Sequence, residues 1–260
     1  MIDLSFPVQE LEYFLLIMTR VTCFIYIAPF FGMENTPNRV KIGLGFFVSF
    51  LLYETMTPHI YVEYSTLLQY AIIIMREAVT GLIIGFSAQM CLSIVSFAGR
   101  VIDMEIGFSM LNQMDPTTKE QATITGIYYQ YVVMLMLIIT GMYQYILKAL
   151  VETFTLIPLN GAVFHKELLY NAFLNYLTSY ITIGFRICLP IFAVSLILNA
   201  VLGILAKVAP QLNMFSVGMQ LKVFVGLGLL FFTTVMLPGI ANFIFIQMKT
   251  MMVSFVEGMM

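Results

Sequence analysis

The side chains of this sequence that could do chemistry are few. They are the cysteines Cys23, Cys91 and Cys188, the histidines His59 and His165, and four ionisable residues set inside apolar runs, Arg20, Arg76, Glu77 and Arg186. Each cysteine sits in its own apolar run, far from the others, and no C-x-x-C or H-x-x-x-H spacing occurs. A metal site needs several such ligands converging, so none is expected, and the cysteines read as small buried hydrophobes. A nucleophile–base constellation is equally lacking in the sequence, so no catalytic residue and no cofactor is expected.

The buried charges remain. A charge at the centre of a bilayer costs roughly 2.5–3.5 kcal/mol on insertion scales. Arg20, Arg76, Glu77 and Arg186 should therefore point at protein, water or one another. Adjacent residues on a helix project about 100° apart, so Arg76 and Glu77 are poor partners for each other. Each is expected to meet a partner on another helix, and the four charges leave three roles open: snorkelling to the membrane surface, pairing across subunits, or lining a transport path.

The elements that must hold these groups follow from composition. The 260 residues are 60% hydrophobic and 10% charged. Soluble domains run nearer 45–50% apolar and about 25% charged. A polytopic all-α membrane protein is the expectation, and the net charge of −2 leaves no basic footprint for nucleic acid. Six apolar regions are candidates for helices: about 11–31, 40–57, 67–98, 122–147, 168–206 and 221–256. The third and fifth are too long for simple spans of a hydrocarbon core of about 30 Å. They must tilt, break or leave the bilayer. Pro190 and Pro238 should kink the fifth and sixth. The last two regions form a helical hairpin, with Lys207 and Lys222 near its tip.

Two motifs stand out. Gly81 and Gly85 form a G-x-x-x-G, which permits close backbone approach. The stretch 104–118 is apolar but aperiodic, broken by Gly107, Asn112 and Asp115-Pro116, and such backbone must lie in protein or a wet cavity. Its methionines are soft enough to fill an uneven gap.

Four stretches together resemble the FliR family of flagellar export-gate proteins, whose injectisome relatives are called SctT. They are Arg20 through Ala28-Pro29-Phe30-Phe31-Gly32 to Pro37 and Lys41; Gly81-Leu-Ile-Ile-Gly85-Phe86; Gly99 and Asp103 leading to Gly107-Phe108 and Asp115-Pro116; and Leu202-Gly203 with Ala209-Pro-Gln-Leu-Asn213-Met-Phe215, Gly218 and Leu221-Lys222. The resemblance implies long kinked helices and hairpins working in a helical hetero-oligomer. It implies a FliP-like part over residues 1–162 and a FliQ-like hairpin over 163–260, with a junction near Pro158–Lys166. It further implies that FliP and FliQ subunits complete a closed pore in the bacterial inner membrane, at the flagellar basal body. FlhA and FlhB would be neighbours in the export apparatus, and unfolded flagellar proteins the cargo.

By the same resemblance, residues 106–116 form a pore plug, with Gly107, Phe108, Met110, Leu111, Met114, Asp115 and Pro116 as gating residues. Apolar deformable side chains there could shut the pore by dewetting. Arg20, Arg76, Glu77, Arg186, Lys207 and Lys222 would serve subunit contacts. The competing reading is an ion-coupled secondary transporter for a small molecule, which would need a midplane binding site between repeats.

Overall fold

In an apolar surrounding every backbone N–H and C=O must be satisfied within its own segment, and a helix does this without a partner. The computed structural model describes residues 8–33, 36–59, 62–108, 123–211 and 214–260, the side chains of 214 and 215 excepted. Among them all regular structure is helical: α1 (Val8–Ile27), α2 (Asn38–Thr55), α3 (Leu67–Ile106), α4 (Ile124–Ile139), α5 (Met142–Leu156), α6 (Lys166–Val208), α7 (Met214–Thr233) and α8 (Leu237–Glu257), with a 3-10 turn, Thr234–Met236, joining the last two. This is the expected all-α polytopic architecture.

Three stretches are long and apolar enough to cross a membrane: Leu67–Ile106, Lys166–Val208 and Ser216–Glu257. The α4–α5 pair is a fourth if it counts as one span. The six apolar regions are thus not six equivalent spans. The region expected at 122–147 needs correction, because it divides into α4 and α5, bent by 71°. Gly141, with φ of +77°, takes a left-handed conformation that most residues avoid, and so turns the chain where the apolar pattern runs on. The third region continues unbroken for 40 residues, and the fifth runs through Pro190 as a single 43-residue helix. Pro238 leaves its mark four residues upstream. It has no N–H to offer the Thr234 carbonyl, which accepts from Leu237 N–H in a 3-10 bond.

Contacts divide the chain into two compact units. The first comprises Met1–Met90, Gly141–Asn175 and Gln247–Met260. Here α1 packs on α2 through aromatic edges, with Phe14 against Phe46 and Tyr53 at 5.6 and 5.9 Å between ring centres. The G-x-x-x-G lays α3 on α1. A Cβ on Gly81 would stand 2.2 Å from the Arg20 carbonyl oxygen, and one on Gly85 2.8 Å from that of Phe24. Ile17, Val21 and Phe24 of α1 and Ile146, Leu150 and Phe154 of α5 are buried in this unit's core. Beyond the helices, Tyr64 donates to the Glu12 carboxylate, which raises the pKa of its phenol. Val163 and His165 N–H donate to the Met259 and Gly258 carbonyls, both at 3.0 Å, tying the segment before α6 to the end of α8.

The second unit comprises Cys91–Thr140 and Tyr176–Ile246. Gly99 of α3 and Gly126 of α4 meet backbone to backbone, since a Cβ on Gly99 would lie 2.1 Å from the Gly126 Cα. Tyr129 of α4 shares a 2.7 Å hydrogen bond with Thr233 at the end of α7. Both units draw on distant parts of the sequence. The division at residues 162/163 concerns likeness to other subunits and stays a proposal.

Burial separates the long helices sharply. The most apolar window of α3 is 61% buried, whereas those of α6 and of Ser216–Glu257 are each 17% buried. Large apolar side chains stand exposed along all of α6, from Leu168 and Tyr170 through Leu189 and Ile197 to Val208.

Close approach at Gly81 makes a specific demand. Gly81→Ala should destabilise the protein by about 1–3 kcal/mol, as overpacking does. Gly43→Ala, where an added Cβ meets nothing within 4 Å, should be neutral or slightly stabilising. Unfolding of the detergent-solubilised chain followed by circular dichroism compares the two.

Candidate functional site

The first cluster assembles around Arg20, which α1 carries into the core of the first unit. Arg20 is fully buried, and so is Glu77 of α3. The Arg20 Nε donates to Glu77 Oε2 at 2.6 Å. Its Nη1 donates to the Ile157 carbonyl at 2.8 Å and reaches that of Thr153 at 3.4 Å. These carbonyls end α5, where the helix dipole is negative and favours a cation. The guanidinium carbon lies 4.4 Å from the Phe154 ring centre, within cation–π range. The second Glu77 oxygen, Oε1, accepts the Asn160 N–H at 2.9 Å. Asn160 adopts a positive φ of +63°, a conformation asparagine tolerates better than most residues.

Arg76 takes the other direction. It is exposed, and its Nη1 reaches Asn160 Oδ1 at 3.4 Å. Glu77 thus has its partner on another helix of the same chain. Arg20 and Glu77 spend their charges on each other and on one helix end, inside the chain rather than on its surface. What they perform is a three-way junction of α1, α3 and the end of α5.

The second cluster lies where α3 ends. Gly107, with φ of +94°, stops the helix, and its N–H donates to the Asp103 carbonyl at 3.1 Å. Phe108 is buried. Met110, Leu111, Met114, Asp115 and Pro116 lie outside the described residues. The Asp103 carboxylate is fully buried, and both of its oxygens lie 3.2 Å from the Thr125 N–H. That N–H belongs to the first turn of α4, the positive end of a helix, where a carboxylate is stabilised. Asp103 and the Gly99–Gly126 contact therefore hold together the two stems that flank residues 109–122. Two residues further along α3, Glu105 Oε2 accepts from the Ser195 hydroxyl of α6 at 2.6 Å.

Sequence reasoning did not single out Asp103 or Glu105 for these roles. Asp103 and Thr125 are 22 residues apart, and no local pattern announces that pairing. The remaining charges named from the sequence are scattered through the second unit. Arg186 is exposed and Lys207 is exposed at the end of α6. Lys222 is half-buried beside a small cavity that Glu105 and Ser195 also line. Cys91 and Cys188 are buried, Cys23 is partly so, and all three are free thiols. Among the described residues no group of three or more His, Cys, Asp and Glu side chains could hold a metal.

Residues 11–248 match the family described as bacterial export proteins, family 1. The chain belongs to this family. Among curated relatives it is 29% identical over 212 residues to the flagellar biosynthetic protein FliR of Bacillus subtilis, covering 81% of each chain. It is 27% identical over 211 residues to FliR of Aquifex aeolicus, covering 80% of each. With FliR of Escherichia coli the identity is 27% over 229 residues, covering 87% of this chain and 84% of the relative. The FliR-family resemblance seen in the motifs is thereby established over almost the whole chain, and with it a membrane protein with a role in flagellar export. The motif residues Gly81, Gly85, Gly99 and Asp103 take part in close helix contacts or in the stem clamp just described.

The ion pair can be tested by separating its members. Glu77→Leu strands a buried guanidinium and should cost about 3–5 kcal/mol, whereas the double replacement Arg20→Met with Glu77→Leu should recover most of that loss. Unfolding in mixed micelles measures both. A double variant as unstable as the single one would mean that the junction depends on more than paired charge.

Proposed function

We propose that this chain is a structural, non-catalytic subunit of the flagellar protein-export gate in the bacterial inner membrane. It joins FliP and FliQ subunits in a closed hetero-oligomeric pore, beside FlhA and FlhB, through which unfolded flagellar proteins leave the cell.

The observation that carries this reading is the length of apolar helix left uncovered. A helix of 43 residues rises about 64 Å at ~1.5 Å per residue. The hydrocarbon core is about 30 Å thick, and a tilt of 40°, the upper end of what spans adopt, lengthens the path only to about 40 Å. Exposed apolar side chains nonetheless run from Leu168 to Val208. Lipid covers part of that face, and the remainder calls for other protein. A subunit of a larger assembly has such a cover, as would a FliQ-like hairpin after residue 162 lying beside FliQ itself.

The second support is the pair of clamped stems. The gating residues Gly107, Phe108, Met110, Leu111, Met114, Asp115 and Pro116 belong to the stretch that Asp103 and Gly99–Gly126 bracket. A plug suspended on rigid stems can close a pore with apolar contacts and give way to a passing chain. The exposed Arg76 and Lys207 and the half-buried Lys222 are suited to subunit contacts. Arg20 and Glu77 act indirectly, by fixing the helices that present those surfaces. The alternative of an ion-coupled small-molecule transporter has less in its favour. Its buried acid–base pair, Arg20 with Glu77, is saturated by protein partners, and the family match covers most of the chain.

Co-expression with FliP and FliQ should yield one detergent-stable particle containing all three, with a mass several times that of this chain. Purification of the chain as a monomer that binds a small solute would overturn the gate reading. Deleting residues 106–116 should leave the particle assembled but make membranes containing it leak ions. Unchanged permeability would remove the plug role.

A further inference from the structure

The last turn of α3 is held on two sides. Asp103 and Glu105 stand two residues apart, which on a helix sets them about 200° from each other and so on opposite faces. Asp103 takes the side of α4, at the Thr125 N–H. Glu105 takes the side of α6, where its Oε2 accepts from the buried Ser195 hydroxyl at 2.6 Å. Helix α7 closes on the same turn. A Cβ on Gly226 would stand 2.6 to 2.9 Å from three side-chain carbons of Ile106. Beyond Ile106 come Gly107, which ends the helix, and the buried Phe108.

One lysine of α7 reaches this junction. Lys222 stands four residues before Gly226, on the same face of the helix. With Glu105, Ile106, Ser195, Leu198 and Gly226 it lines a cavity of about 10 Å³, close to the least that admits one water. Of the residues lining that cavity only Glu105 and Lys222 are charged, and all the rest save Ser195 are apolar. Among the described residues Lys222 makes no hydrogen bond or ion pair, and Glu105 Oε1 accepts none. The ammonium has three donors to place, and the carboxylate oxygen only accepts. In apolar surroundings a cation and an anion attract more strongly than they do in water.

We infer that Glu105, Ser195 and Lys222 form an electrostatic latch, joined through one bound water, that fastens α6 and α7 to the last turn of α3. Ser195 fixes one carboxylate oxygen and leaves the other for the ammonium. The water accepts from the ammonium and donates to that oxygen, and so spans a gap that a direct ion pair does not close. Asp103 by itself would tie the turn to α4 alone. Held from α6 and α7 as well, the turn shifts only when the hairpin shifts, and a displacement of the hairpin is passed to Gly107 and Phe108. Glu105 and Lys222 are thus positioning residues. Lys222 is half-buried, and one side of it stays available to a neighbouring subunit. The latch rests on the packing of this chain; only its effect on permeability rests on the plug reading.

Hydrogen exchange of the full chain in detergent, read by mass spectrometry over residues 102–108, tests the latch. Glu105→Gln removes the negative charge but keeps an acceptor for Ser195, and Lys222→Gln removes the positive one. Each should speed exchange there about fivefold, the size of one modest ion pair. The double variant Glu105→Gln with Lys222→Gln should exchange no faster than either single one, because both remove the same interaction. The charge swap Glu105→Lys with Lys222→Glu should restore much of the protection that either reversal alone loses. Lys148→Gln, on an exposed face beside Glu152, should leave these amides unchanged. Unaltered exchange in Lys222→Gln would overturn the latch, and loss of co-purifying subunits from the same variant would give the lysine to a neighbour instead. Effects that multiply in the double variant would overturn it too, since they mark two independent contacts. In membranes holding the assembled particle, Lys222→Gln should also raise the ion leak. Coupled exchange with unchanged permeability would sustain the latch and count against the plug reading alone.

Discussion

An apolar helix is comfortable in lipid only over the depth of the hydrocarbon core, about 30 Å. Two of the longest helical stretches here, α6 and Ser216–Glu257, run 43 and 42 residues with only 17% of their most apolar windows buried. Roughly half of each must therefore find its apolar surroundings elsewhere. Much else in the structure depends on that constraint. It makes the hairpin unsuited to a life alone in the bilayer, and it leaves the exposed leucines and phenylalanines of α6 in need of further apolar cover. Burial of the most apolar α3 window, at 61%, marks the contrasting case of a helix whose neighbours are largely supplied by its own chain.

Charges within the apolar runs meet two different fates. Arg20 and Glu77 are taken out of water together, and every strong acceptor or donor position they present is engaged: carboxylate with guanidinium, carboxylate with the Asn160 N–H, guanidinium with the end of α5 and the face of Phe154. A buried pair seldom adds much stability over an apolar replacement, because desolvation consumes the Coulombic gain. Its value lies in direction. Leucines could fill the same volume with α1, α3 and α5 in several relative positions, whereas these bonds are satisfied in one. Arg186 is left exposed on α6 and needs no such enclosure.

On both sides of the stretch that the family resemblance would make a plug, the chain is closely packed. A glycine-to-glycine crossing lets α3 and α4 touch backbones, and Asp103 spans the gap to the first turn of α4. A gate that yields to an unfolded chain and then shuts again needs stems that do not move with it. Small residues and a buried carboxylate at a helix start supply that stiffness at little cost in volume.

Much of this was legible in the sequence. Composition determined a membrane chain, because no soluble core can hide so much apolar surface, and the length of the apolar runs made it helical. The run lengths announced that α3 and α6 outgrow a bilayer. The motifs around Gly81, Gly99, Asp103 and Ala209-Pro210 carried the family, and the placing of charges in apolar runs marked Arg20, Glu77 and Arg186 as residues with something to explain. Tertiary structure decided which partner each one has. Arg20 finds Glu77 57 residues away and the α5 carbonyls more than 130 residues away, and Asp103 finds Thr125 across a separate stretch of chain. Hydropathy also ran straight across Gly141, where a positive φ bends the chain by 71°. The physical reason is common to all three. Burial is a property of single residues and can be read from the order of the chain, whereas a hydrogen bond, an ion pair or a turn of the backbone is a relation in space that only the packed helices define.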